Sequence, residues 1–201
     1  MVSMKISAYK LLLNEAMFEK NPSLITMVKR DDKNFNGEFI NMGVSIKPIW
    51  PSSVTVFVSG TDPVDYFLFG PRHHAVSQRA REVIGNAVGT SVEFLPLNVV
   101  NKDSEDSIGQ YWAINILNNI DALDWDHTVW NSDEIPLKKK DAHLDIIRPA
   151  FKAHLIEGQH MFLLRVRKFI KSGIYISATL KKQLKSKGTV TGMDFMPIKV
   201  V

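Results

Sequence analysis

A chain of 201 residues with 45% hydrophobic and 23% charged side chains suits one soluble globular domain with a sizeable core. It contains no cysteine, which excludes disulfides, thiolate nucleophiles and Cys-ligated zinc or iron–sulfur centres. The net charge of +4 conceals a segregation: residues 1–100 carry +1, residues 101–145 carry −6, and residues 146–201 carry +9.

No apolar run approaches the roughly 18 residues that suggest a membrane span. The opening MVSMKISAYKLLLNEAMF has only a three-Leu run and no small-residue cleavage pattern, so a cytoplasmic protein is expected.

In chain order, MKISAYKLLL alternates as a first strand, with Ile6, Ala8 and Leu12 on one side. NPSLITMV fits either a short helix or a strand. RDDKNFNGEF is a polar reversal around Asn36-Gly37, and the two prolines of VSIKPIWPSS restrict it to an edge strand or an extended connection. SVTVFVSG is a β-branched strand.

SQRAREVIGNAVG is the clearest helix. Ala80, Val83, Ile84, Ala87 and Val88 share one face, Ser77 is the N-cap, and Gly89 is the stop. Arg79, Arg81 and Glu82 are expected toward solvent. SVEFLPL is a strand, NKDSEDSIG a polar connection, and YWAINIL a central strand with both faces apolar. HMFLLRVRKF and GIYISATL read as two strands around the turn IKSG. ATLKKQLKSKG is a short helix with Leu180 and Leu184 inward, lysines outward and Gly188 as stop; TGMDFMPIKVV closes as a strand.

No internal repeat is visible. Strands outnumber helices without regular alternation, which favours an α+β fold with a mixed or mainly antiparallel sheet and a few flanking helices. The expected organisation is a single domain over residues 1–201, whose two lobes, if it has two, meet near residues 98–109.

The stretch NNIDALDWDHTVW gathers Asp121, Asp124, Asp126 and His127 between hydrophobic positions. It lacks the glycine and closing glutamate of a calcium loop, and His127 has no local partner for zinc. Asx-turns at a strand end, or a contact surface, fit it better than a metal-dependent enzyme. His73 and His74, after Gly70-Pro71, suit an exposed loop. No phosphate loop, nucleophile elbow or dinucleotide glycine pattern is present, so no catalysis and no cofactor is expected.

The basic tract RVRKFIK places Arg165, Arg167 and Phe169 at alternate positions, and the late helix adds Lys181, Lys182, Lys185 and Lys187. Such a surface could hold nucleic acid through phosphate contacts and stacking. No nucleic-acid-binding motif surrounds it, which leaves this as the minor alternative.

Several stretches come in a recurrent order: FNGEF, IWP at 49–51, DYFLFGPRHHAVSQRAREVI, VEFLPL, YWAINILNNIDALDWDHT and GIYISATLKKQLKSKGTVTGMDFMPI. Together they resemble a family of bacterial immunity proteins encoded beside polymorphic toxins. The matching motifs are Asp65-Tyr66, Ser77–Ala80, Val92–Leu97, Tyr111–Asp124 and Ile176–Pro197; Tyr66 and Thr179 depart mildly from the family pattern. The resemblance implies a non-catalytic protein that binds and neutralises a cognate secreted toxin. It places Asn115, Asp121 and Asp124 in a shared motif that fixes a turn or lies near a groove. Asp121, Asp124, Trp125, Asp126, His127 and Trp130 are the candidate contact residues.

Overall fold

The computed structural model describes residues 7–30, 37–52, 54–71, 73–130, 146–165 and 173–201. Two six-stranded sheets dominate it. The first contains β2 (Thr26–Arg30), β3 (Thr55–Ser59), β4 (Tyr66–Gly70), β5 (His73–Ser77), β6 (Val92–Asn101) and β7 (Ser107–Ile116), in the spatial order β2-β3-β6-β7-β5-β4. The second contains β1 (Ala8–Leu13), β8 (Asn119–Ile120), β11 (Ala150–Phe151), β12 (Met161–Leu164), β13 (Ile174–Ser177) and β14 (Met193–Val200), in the order β11-β14-β1-β13-β12-β8.

The pairings β3/β6, β11/β14 and β8/β12 are parallel and the others antiparallel. The short strands β9 (Val129–Trp130) and β10 (Ile146–Arg148) pair separately. The helices are α1 (Glu15–Lys20), α2 (Gln78–Val88), α3 (Ala153–Ile156) and α4 (Ala178–Ser186), giving an α+β protein with mixed sheets.

The inner faces of both sheets share one core with α2 and α4, which pack on each other. Ala80 and Ile84 from α2 meet Leu180 and Leu184 from α4, all fully buried. Each helix forms for the expected reasons. The Ser77 hydroxyl accepts from the Ala80 N–H at 3.2 Å and the Ser177 hydroxyl from the Leu180 N–H at 3.1 Å. Gly89 and Gly188 then leave the helices at positive φ.

An internal duplication, not apparent in the sequence, emerges from the register. Tyr9 in β1 lies opposite Ile176 and Pro197, as Trp112 in β7 lies opposite Val76 and Pro96. Carried outward, Met161 opposite Ile176 corresponds to Tyr66 opposite Val76, and Ala150 beside Lys199 corresponds to Thr55 beside Asn98.

Five strands of each sheet therefore superpose in order and direction, β3-β6-β7-β5-β4 on β11-β14-β1-β13-β12. The correspondence extends to hydrogen bonds. The Ser77 N–H donates to the Asp65 carbonyl at 3.0 Å, as the Ser177 N–H does to the His160 carbonyl at 3.0 Å. In chain order each half reads as one strand, an insertion, two strands, the hairpin partner, a helix and a long strand. The first strand of each half, β1 or β7, sits inside the sheet of the other half.

Pro96 and Pro197 are tolerated in these interior strands for a shared reason. Each lies just before the position where the parallel neighbour begins pairing, so no ladder bond needs the missing N–H.

The two halves are stitched by Asp65, which is fully buried. Its carboxylate accepts from Arg79 Nε at 2.7 Å, Arg79 Nη2 at 2.9 Å, the Ser77 hydroxyl at 2.8 Å and the Thr191 N–H at 3.1 Å. The N–H groups of Asp65 and Tyr66 both donate to the Thr191 carbonyl. Arg79 was expected in solvent and its side chain is 61% exposed, yet its guanidinium forks onto this carboxylate.

Arg79→Ala strands the buried carboxylate without its cation. Because water can partly replace an exposed guanidinium, the expected loss is about 2–3 kcal/mol, at or below the low end for breaking a buried pair. Urea unfolding at neutral pH measures it, and a loss below about 0.5 kcal/mol would mean that the pair behaves as a surface bridge.

Candidate interaction surface

The acidic stretch between β8 and β10 folds into a turn. Asp124 caps it: one carboxylate oxygen accepts from the His127 N–H at 3.0 Å and lies 2.9 Å from His127 Nδ1. These bonds, with help from the Asp126 N–H, hold the Asp124 carboxyl below its usual range against an opposing effect of desolvation. The Asp124 carbonyl takes the Thr128 N–H and hydroxyl, while the Asp124 N–H donates to the Ala150 carbonyl at 2.8 Å. The turn is thereby tied to β11.

Asp121, Asp126 and His127 are exposed. Trp125 and Trp130 stack with ring centroids 5.0 Å apart, half-buried over the outer face of the second sheet. The structure thus brings Asp124, His127 and the two tryptophans together. Among the described residues no group of three His, Asp or Glu converges as a metal site.

The basic end is arranged differently from a free strip of charge. Lys181 Nζ sits 3.5 Å from the Tyr9 ring centroid and 5.6 Å from that of Phe195. The equivalent Arg81 lies 3.8 Å over Trp112 and 5.8 Å from Phe94, so it covers an aromatic surface instead of pointing freely to solvent. Tyr9, Lys181, Lys182 and Lys185 line a shallow open groove. Arg167 and Phe169 lie outside the described residues, and Arg165 is exposed at the end of β12.

His73 and His74 occupy β5, not an exposed loop. His73 is 8% exposed and its Nε2 lies 2.9 Å from the Gly37 carbonyl; His74 Nδ1 lies 2.5 Å from the Tyr66 hydroxyl. The reason is strand pairing: β5 is held between β4 and β7, which sequence patterning around Pro71 did not disclose.

Asn115, also fully buried, binds the segment 41–46. It accepts from the Asn41 N–H at 2.9 Å and donates to the Val44 carbonyl at 2.8 Å and to Glu93 at 2.9 Å. Burial alone would raise the Glu93 carboxyl. Hydrogen bonds from Ser45, Asn115 and the Ile46 and Lys47 amides outweigh it and hold the group below its ordinary value. No periodicity in the sequence announces this network, because its members lie up to 74 residues apart.

The recessed polar groups Asp65, Asn115, Glu93 and His74 are thus engaged in holding the fold, while the acidic turn and basic helix present chemistry outward. The family model described as the Imm11 immunity protein family matches residues 56–200, well over half of the chain, and the chain belongs to that family. The match starts at Val56, so FNGEF and IWP lie ahead of it. No curated protein matches the chain. Membership makes it an immunity protein, a neutraliser of a toxin that works by binding and not by turnover. Among the described residues no helix is long and apolar enough to cross a membrane.

His74 supplies a pH signature. Burial, and secondarily the neighbouring His73 charge, lower its pKa to about 4 from an ordinary 6.5. Protonating Nδ1 would also remove the acceptor facing the Tyr66 hydroxyl. Between those values the unfolded chain binds the proton and the folded one does not, so stability falls as pH drops from about 6.5 to about 4. The expected loss is about 3 kcal/mol at most. His74→Gln should flatten that part of a stability-versus-pH curve; an unchanged slope would assign the loss to other groups.

Proposed function

We propose that the chain neutralises a cognate secreted toxin in the cytoplasm by stoichiometric occlusion, contacting it through Asp121, Asp124, Trp125, Asp126, His127 and Trp130. The observation that carries this reading is the stacked Trp125–Trp130 pair, partly exposed beside a turn on which Asp121 and Asp126 face outward. Large aromatic anchors at the centre with polar and charged groups on the rim are a usual interface composition. Val129 and Ile147, both about half exposed, add exposed apolar side chains to the same β9–β10 ladder. The partner surface that fits is basic, with an apolar cleft for an indole. An interface of about 800 Å² per partner suffices, and the tightest such pairs reach Kd values of about 10⁻¹³ M.

The basic helix remains the rival surface, with nucleic acid as its partner. Lys181 is held on Tyr9, which makes that face a covered aromatic edge more than a phosphate track. The two readings separate in salt, since phosphate binding falls steeply with ionic strength.

The test is calorimetric titration with the toxin domain encoded beside this chain. A one-to-one complex in the nanomolar range or tighter is expected. Asp121→Lys with Asp126→Lys should weaken it about tenfold or more, and Trp125→Ala about 30-fold or more. Absence of heat and of co-elution would sink the partner assignment. Unchanged affinity in the charge-reversed variant, with the melting temperature preserved, would move the interface elsewhere.

A further inference from the structure

The duplication offers a way to separate scaffold from surface. Whatever both halves share is accounted for by folding the common five-strand sheet and its helix. What remains, apart from the short helix α3 between β11 and β12, is the two insertions that follow the exchanged strands: residues 14–54 between β1 and β3, and residues 117–149 between β7 and β11. Each lays an inner side over the outer face of its own sheet. Ile25, Ile40 and Ile46 do so for the first, and Ala122, Leu123 and Trp125 for the second.

Burial explains those inner residues and leaves the outer ones unexplained. Ten large hydrophobic side chains are exposed among the described residues, and eight of them fall in the two insertions. Half of those eight sit on a single loop: Phe39 at 47%, Met42 at 54%, Val44 at 50% and Ile49 at 68% exposure. Scattered single exposures need no account, whereas four on one short loop do.

Three further observations bear on what covers this loop. It is pinned: Asn41 and Val44 bond the buried Asn115, Ser45 and Ile46 bond Glu93, and Trp50 Nε1 donates to the Pro96 carbonyl at 3.1 Å. A loop fixed by this many bonds displays its apolar side chains without a large ordering cost on binding. It also meets the second insertion. Gly43, at φ +77°, stands so close to the segment after β7 that a Cβ there would lie 3.1 Å from Asn119 Cβ. Asn119 is two residues from Asp121, so the loop adjoins the stretch that leads into the acidic turn. Finally, the family-model match leaves the loop out, beginning at Val56.

We infer that loop 37–50 is a second arm of the toxin-binding surface, its Phe39, Met42, Val44 and Ile49 pressing on an apolar patch of the toxin. The inference rests on the reading that the chain binds a toxin, and it adds the insertion of the first half to that of the second. The pinned loop supplies apolar contact, and the turn supplies charge and the indole pair. Both grow from the same point of the repeat, so the interface spans the junction of the two insertions.

The experiment is titration of the neighbouring gene's toxin domain into the full chain carrying Met42→Glu and Ile49→Glu. Both positions are exposed, so the melting temperature should stay within a few degrees. Affinity should fall about 100-fold or more, as for loss of interface anchors. The control Leu155→Glu, exposed but outside both insertions, should bind as the parent does. Hydrogen exchange on the unmodified complex gives a second readout independent of any variant: amides of 39–49 should slow when toxin is added.

Binding within about twofold of the parent, or exchange in 39–49 unaltered by toxin, would overturn the inference even if the charge-reversed turn loses affinity. Loss of affinity in the loop variant, alongside normal binding by the turn variant, would uphold the loop and dismiss the turn. A parent chain that does not bind the toxin overturns both.

Discussion

Each sheet takes an interior strand from the other half of the chain, and the rest of the structure follows from that exchange. β1 lies between β13 and β14, and β7 between β5 and β6. Without its borrowed strand either sheet would be cut into separate pieces with unpaired edges and an incomplete inner face. Both inner faces also close on one core with α2 and α4, beside the separate apolar cluster that each insertion covers on its own sheet. The Asp65 cluster binds the start of β4 and of α2 to Thr191, ahead of β14, across the same division. These couplings cross the midpoint of the duplication, which falls at the loop 102–106.

The exchange also explains why so many motif residues turn out to be structural. Ser77 and Ser177 cap equivalent helices, and Asp65 and His160 occupy equivalent positions against those caps. Asp65 acquired a second task, because Arg79 and Thr191 converge on it. Asn115 secures the first insertion from a strand that belongs, by chain order, to the second half. A binding protein needs its surface held still, and these polar groups fix the segments around them.

Much of the fold was legible from local signals. The helices α2 and α4 followed from apolar spacing, a serine cap and a terminal glycine, and β7 from a run apolar on both faces. The duplication was not, although Glu93-Phe94-Leu95-Pro96-Leu97 and Asp194-Phe195-Met196-Pro197-Ile198 repeat the same chemistry. The halves keep shape and burial but few identities, and insertions of unequal length shift the offset between equivalent residues. Tyr9 matches Trp112 and Tyr66 matches Met161, pairs that no sequence window would align.

Long-range pairing hid the rest. His73 and His74 read as loop residues until β4 and β7 bracket them. The prolines of IKPIWP suggested extended chain, whereas Lys47–Ile49 forms a short 3₁₀ turn. The helix α1 went unread because its six residues bury no side chain and carry no apolar stripe.

The charge segregation reads differently once the fold is known. The acidic turn belongs to an insertion and not to the repeated sheet, to which Asp124 ties it at β11. The basic helix α4 belongs to the repeat itself, and its Lys181 performs the same task as Arg81 on α2. Each cation lies over the aromatic ring of a borrowed strand, Tyr9 or Trp112, closing the wet edge of the shared core. Two sequences that have diverged at most positions retain a cation, a ring and a phenylalanine in the same arrangement. A covering role at the helix–strand seam accounts for that pattern in both halves at once. A nucleic-acid site would account for only one of them. Lys181, at the positive end of the chain, is therefore accounted for by how a borrowed aromatic strand is sealed.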